Sequence, residues 1–211
     1  MIAGARARTA ILISGRGSNM AALIAASRDP DYPAEIVLVV SNRPDAVGLG
    51  LAREAGIPAV AIDHRPFRGD RSAHEAAIDA ELRRAGVQVV CLAGFMRVLT
   101  PLLIDAWQGR MLNIHPSLLP AFPGLDTHAR ALVAGVKLHG CTVHIVTQAV
   151  DEGPILAQAA VPVLPGDTPE VLADRVLVQE HRIYPAALRR FAADAAAEYP
   201  AAGAALRNPA C

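Results

Sequence analysis

Ala10-Ile11-Leu12-Ile13-Ser14-Gly15-Arg16-Gly17-Ser18-Asn19 reads as a short apolar strand that breaks at two glycines and opens into a helix. The helix runs through Ser18 to Ser27. Outward from this unit the same alternation repeats. Strands are predicted at Ile36–Val40, Ala59–Ile62 and Val87–Leu92, with helices at Ala46–Ala55 and Arg71–Ala85, the latter ended by Gly86. Short Val/Ile/Leu runs separated by Ala-rich helical stretches predict an α/β fold. Its mostly parallel twisted sheet carries helices on both faces, in a Rossmann-like arrangement with right-handed crossovers.

The second half has a different texture. Met111–Ile114 is a short strand stopped by Pro116. Pro116, Pro120, Pro123 and Gly124 mark an ordered loop, and Thr127–Ala134 is a helix. Thr142–Val146 and Ile155–Val163 read as strands, which makes the sheet mixed at this end. Pro169–Ala193 is one long helix containing Pro185. A single domain is expected over 1–211. Residues 9–110 form one half, 111–193 the other, and 194–211 an Ala-rich flexible tail.

Composition narrows the function classes. The chain has 211 residues, of which 53% are hydrophobic and 19% charged, so it can bury a sizeable core. The formal net charge is +0, without the basic excess of a protein that tracks nucleic acid. Lys137 is the only lysine, and its neighbours give no sign of Schiff-base chemistry. Cys91, Cys141 and Cys211 are odd in number and far apart, which argues against a disulfide framework or a zinc cluster. No histidine pair has metal-ligand spacing, and no metal is expected. His64 and His74 look like surface or helix positions, whereas His128, His139 and His144 flank the second-half elements and could line a cleft. Residues 1–8 lack the apolar stretch of a signal peptide, and no run reaches the roughly 20 residues of a membrane span. A cytoplasmic protein, monomeric or homodimeric, without nucleic-acid or membrane partners, is the expectation.

The glycine turn suits an anion. Glycines let the backbone approach a ligand, and a helix N-terminus offers unpaired N–H groups with partial positive charge. Ser18 could cap the helix. The third glycine of a dinucleotide fingerprint is replaced by Met20, and Ser41-Asn42 stand where a ribose-binding carboxylate would follow the second strand. The Lys-Ser/Thr pair of a P-loop is also missing. One terminal phosphate fits better than a dinucleotide; a plain glycine turn with a capping serine fits the same residues.

Asn113 and His115, two apart on a strand, share one face. A carboxamide can donate to a developing oxyanion, and an imidazole can donate or relay a proton. Such a pair suits acyl transfer, although an Asn and a His serving loop backbone groups would have the same spacing. Asp151 lies in the turn Val150-Asp151-Glu152-Gly153-Pro154 between two predicted strands. It could orient the imidazole and favour its charged form, or could simply form the turn.

Taken together, six stretches carry a family resemblance. They are Gly15 to Asn19, Ala93-Gly94-Phe95-Met96-Arg97, Asn113-Ile114-His115-Pro116-Ser117-Leu118-Leu119-Pro120, His139 to His144, Asp151 to Pro154, and Gln179-Glu180-His181. In order and spacing, from about Thr9 to Phe191, the chain resembles the glycinamide ribonucleotide formyltransferases. The resemblance implies the formyltransferase fold and formyl transfer from 10-formyltetrahydrofolate, as cosubstrate, to the amine of glycinamide ribonucleotide. It implies a catalytic trio of Asn113, His115 and Asp151, with Pro116 shaping the catalytic turn. Gly17, Ser18 and Asn19 are implied as the phosphate loop, and Glu180 as the acid at the sugar and amine end. Arg71, Met96, Arg97, Val98, Leu99, Asn113 and Val146 are implied around the folate. The chain departs from the family at Gln148 and Ala149, where members often carry acids, and at Leu177, where they often carry a polar residue.

Three other readings compete. A formyltetrahydrofolate hydrolase resembles the catalytic half but usually carries an N-terminal regulatory domain, for which no room is expected here. A methionyl-tRNA formyltransferase would want a further C-terminal domain and more positive charge. A non-catalytic nucleotide-binding module would use the glycine loop alone.

Overall fold

A computed structural model describes residues 6–198. Seven strands form one sheet: β1 (Ala7–Ile13), β2 (Ala34–Ser41), β3 (Ala59–Ala61), β4 (Val89–Leu92), β5 (Met111–His115), β6 (Leu138–Ile145) and β7 (Ile155–Pro162). Their spatial order is β3-β2-β1-β4-β5-β6-β7. The first five run parallel, and β6 and β7 add antiparallel to β5. Six helices accompany them: α1 (Ser18–Ser27), α2 (Val47–Glu54), α3 (Arg71–Arg84), α4 (Pro101–Ala106), α5 (Thr127–Val133) and α6 (Pro169–Glu198).

Strand periodicity sorts the core into two layers. Ile11, Ile13, Val39, Leu112, Ile114 and Val143 pack with Leu23 of α1, Leu49 of α2 and the α6 residues Leu172, Val176 and Leu188. Their strand neighbours Ala10, Leu12, Leu38, Val40 and Val90 face the other way, onto Ile78 and Leu82 of α3 and Leu103 and Trp107 at α4. Helices cover both faces, which is why the central strands read as continuous apolar runs. The Tyr184 hydroxyl reaches the carbonyls of Leu92 and Leu112 at 3.0 and 3.2 Å, fixing α6 to the ends of β4 and β5.

The chain builds outward from β1 through β2 to β3, then returns to the other side of β1 as β4. This reversal, at the carboxyl ends of β1 and β4, is where open α/β sheets usually hold a ligand, in a crevice outside the strand ends.

Several boundaries differ from the sequence reading. β6 begins at Leu138 rather than Thr142, because Gly140 lies inside the strand instead of breaking it. A Cβ at Gly140 would sit 2.0 Å from the Ala159 carbonyl oxygen, so only glycine lets β7 pair this closely. α4 has no counterpart among the expected elements. α6 continues to Glu198, beyond Ala193, and passes through Pro185; the rest of the expected tail, 199–211, lies outside the described residues. Gly17, not Ser18, occupies the N-cap of α1, and no side chain caps it. His74 is on a helix but buried, its Nε2 donating to the Ile62 carbonyl at 2.8 Å.

The start of α4 is held from a distance. The buried Glu75 carboxylate accepts from the Thr100 backbone N–H at 2.8 Å and from its hydroxyl at 2.5 Å. Glu75→Ala strands both donors and is expected to cost about 2 kcal/mol. For a chain of this size that lowers the thermal midpoint by roughly 4–8 °C, readable in a calorimetric melt. An unchanged midpoint would show that the cap contributes nothing.

Candidate active site

The glycine turn after β1 is built by two helices. Gly17 is left-handed (φ 77), and the helix that follows presents its first-turn N–H groups toward the crevice. Gly48 of α2 donates its N–H to the Gly15 carbonyl at 3.0 Å. A Cβ on Gly48 would lie 2.6 Å from Ile13 Cδ1 and 3.2 Å from the Gly15 oxygen, so this glycine shapes the turn as much as those within it. Ser14 ties the turn to the neighbouring loop. Its N–H donates to the Gly94 carbonyl at 3.0 Å, and its hydroxyl accepts from the Met96 N–H at 2.8 Å.

Asn19 and Glu180 meet across the molecule. Asn19 Nδ2 donates to Glu180 Oε2 at 2.6 Å, and both are buried. Burial pushes the Glu180 carboxyl above its ordinary range, and the Asn19 hydrogen bond opposes that rise. Asn19 Oδ1 is buried without a protein partner. An acceptor and a carboxyl therefore stand beside the glycine turn, suited to hydroxyl or amine donors of a ligand.

The second cluster sits at the end of β5. Asn113 and His115 share a face, and Asn113 pairs in register with His144 of β6. The His144 Nδ1 contact with the Ile145 carbonyl (3.1 Å) makes Nδ1 the protonated nitrogen. His144 Nε2 then accepts from Asn113 Nδ2 at 3.1 Å, which sets the amide's orientation and leaves its second N–H uncommitted to His144. Burial, more than any charge, pulls the His144 pKa down and keeps the ring neutral, although the Ile145 carbonyl and Asp151 act against that. From sequence, His144 is marked only as one of three histidines flanking the second-half elements.

His115 Nε2 lies 3.1 Å from the Phe122 carbonyl, and Nδ1 lies 3.4 Å from Asp151 Oδ2. Each ring nitrogen faces an oxygen, so both contacts are hydrogen bonds only when the ring carries two protons. Pro116 makes the turn after the strand tight, with the Ser117 N–H donating back to the His115 carbonyl at 2.9 Å. Asp151 has a left-handed backbone (φ 58) and accepts from the Gly124 N–H at 2.9 Å. The structure thus brings Asn113, His115 and Asp151 together. It adds His144, whose Nε2 is 3.7 Å from Asp151 Oδ1. The arrangement can donate to an oxyanion from Asn113 and from a charged His115, with a carboxylate to balance that charge or take a proton.

The remaining expected positions, Arg71 apart, lie on two loops flanking Asn113. Met96 is 72% and Val98 58% exposed, on the loop after β4. Large apolar side chains this exposed beside a crevice suit a flat organic ligand. Leu99 and Val146 are half-buried against the second core layer, and the Val146 N–H donates to the Met111 carbonyl at 2.8 Å. Gln148 Nε2 donates to Asp105 of α4 at 2.9 Å. Arg97 is half-buried on the first loop. Arg71 is exposed at the start of α3, and no hydrogen bond or ion pair joins it to the cluster among the described residues. Burial pushes the thiols of Cys91 and Cys141 up to about 12, so neither supplies a thiolate. Among the described residues no group of three or more His, Cys, Asp or Glu is placed to hold a metal ion, and no helix is long and apolar enough to cross a membrane.

Comparison with known proteins bears on the fold and the family. The chain is 50% identical over 190 residues to the trifunctional purine biosynthetic protein adenosine-3 of Bos taurus, covering 90% of this chain but spanning only 19% of that protein's length. It is 44% identical over 182 residues to phosphoribosylglycinamide formyltransferase of Escherichia coli K12, covering 86% of this chain and 85% of the relative. Among solved structures, phosphoribosylglycinamide formyltransferase from Brucella melitensis superposes with a TM-score of 0.85 at 58% identity, over 89% of this chain and 96% of that one. Residues 7–188 match the formyl transferase family, and the chain belongs to it.

Proposed function

We propose that this chain is a cytoplasmic phosphoribosylglycinamide formyltransferase of purine biosynthesis. In this reading it moves the formyl group of 10-formyltetrahydrofolate to the amine of glycinamide ribonucleotide, working as one domain in which residues 9–110 supply the anion turn and 111–193 the reacting groups. The observation that carries it is the placement of Asn113, His115 and Asp151 at one end of a crevice whose β1 side carries the anion-binding turn.

The phosphate docks on the N–H groups at Gly17, Ser18 and Asn19. Glu180, held by Asn19, takes the sugar and amine end. Remote binding energy thereby fixes the amine at the reacting carbon. Met96, Val98, Leu99 and Val146 hold the folate, with Arg71 and Arg97 toward its acidic tail. A free α-amino group titrates near about 8, so a useful fraction is neutral at cytosolic pH. It attacks the formyl carbon, and the carbonyl oxygen becomes an oxyanion. Asn113 donates to that oxygen, and so does the Nδ1–H of doubly protonated His115, which the oxygen shares with Asp151 while Nε2–H stays on the Phe122 carbonyl. Asp151 balances the imidazolium and lies where it can pass the amine proton to the folate nitrogen, directly or through water. The C–N bond to the folate breaks, releasing tetrahydrofolate and the formylated amide. No covalent enzyme intermediate is required.

The test is an assay of purified protein with 10-formyltetrahydrofolate and a series of acceptors. Glycinamide ribonucleotide should be formylated. Its phosphate-free riboside should lose at least about tenfold in kcat as well as affinity, since binding energy at the turn positions the amine. Formate release without any amine would identify a hydrolase instead, and equal turnover of the riboside would remove the phosphate turn from the reading.

A further inference from the structure

The loop between β5 and α5 delivers two backbone groups to the site. The Phe122 carbonyl contacts His115 Nε2, and the Gly124 N–H donates to Asp151. It does so with a strained backbone: Phe122 (φ 54) and Asp126 (φ 55) are both left-handed, a costly state for residues other than glycine. Such a conformation persists only where its surroundings over-determine it. Residues 117–121 are secured from β6 and β7, because the Thr142 hydroxyl donates to the Ser117 carbonyl and Gln158 to that of Leu119. The next four residues lie beyond those bonds.

Arg130 of α5 supplies what they lack. Its Nη1 donates to the Pro123 carbonyl, and to that of Leu125 at 3.2 Å. Its guanidinium lies over the Phe122 ring, 5.7 Å from the centroid. These contacts bracket the two residues whose backbone touches the site. Arg130 forms no ion pair among the described residues; the hydrogen bonds of its guanidinium go to loop carbonyls. One nitrogen, Nη1, serves both carbonyls while the flat face of the guanidinium lies over the ring.

We propose that Arg130 is a positioning residue for formyl transfer. It holds the 122–125 turn so that one carbonyl orients His115 and one amide orients Asp151. The assignment of a rate effect rests on the function proposed above; the structural effect does not.

Two readouts test it. Arg130→Ala should lower kcat about tenfold, with KM for both substrates within about twofold of the parent, and Arg130→Lys should fall between the two. In proton–nitrogen spectra the parent's His115 Nε2–H signal should be sharp and slow to exchange, and broadened by exchange in Arg130→Ala. Parent-like kcat in the alanine variant, or a loss that merely tracks the folded fraction by circular dichroism, would overturn the rate effect. An unchanged His115 signal would overturn the clamp itself. A parent protein that formylates no amine would defeat the functional reading, while the His115 signal would still decide the role of Arg130.

Discussion

His115→Ala is expected to lower kcat for formyl transfer by roughly 10²–10³-fold, and Asn113→Ala by a similar factor, with both proteins folded. The magnitude is that of losing one donor to an oxyanion in a water-poor site, about 2.7–4 kcal/mol of barrier. Neither side chain holds the fold. Asn113 is half-buried, and its recorded side-chain bond goes to His144 rather than to a distant layer. His115 bridges the Phe122 carbonyl and Asp151, both on loops, and the gap left by alanine is polar enough for water to enter. The loss should therefore appear in kcat, with thermal midpoints close to that of the parent. Combining the two substitutions adds a sharper condition. If both groups address the same oxygen, the double variant loses less than the product of the single losses. Near-parental turnover in both single variants would remove the oxyanion role, and strictly multiplicative losses would mean the two groups act at different steps.

The parts of this site that could be read from sequence are those whose chemistry and geometry are local. Asn113 and His115 are legible as a pair because strand period alone puts them on one face. The glycine turn is legible because a strand end, two glycines and a helix start are contiguous. What joins these parts is long-range. Asp151 reaches His115 only because β6 and β7 turn back beside β5, and Asn19 meets Glu180 from 161 residues away. Nothing local marks Gly48 as half of the glycine turn; its signal is a glycine in the first turn of a helix that has no obvious need for one. Glu75 gives no hint that it caps α4, since its partner lies 25 residues on in another helix. The true start of β6 at Leu138 is hidden for a related reason. A glycine in a strand looks like a stop unless the approach of the neighbouring backbone is known.

Gly153→Ala is expected to lower kcat about 100-fold, although Gly153 touches no substrate in this mechanism. A Cβ at this position would sit 1.7 Å from the Ile145 carbonyl oxygen and 2.9 Å from its carbon. Both atoms are backbone, so no rotamer change relieves the clash, and the turn must move by at least about 1 Å. That turn closes where the Ile145 N–H donates to the Pro154 carbonyl at 2.9 Å, and it carries Asp151 two residues before the glycine. The Asp151–His115 contact is already at 3.4 Å, with little reach to spare. The same turn carries Gln148, bonded to Asp105, so KM for the folate should rise as well. KM for the amine substrate should hold, because Gly17 caps α1, Ser18 and Asn19 open it, and Glu180 belongs to α6. A double-variant cycle decides whether the effect runs through the carboxylate. On an Asp151→Asn background the further loss from Gly153→Ala should shrink to within about threefold, because the group it displaces has already lost its charge. If the glycine variant keeps parental kcat, Asp151 need not be held near His115 at all; if its full cost persists on the Asn background, the turn acts through something other than that carboxylate.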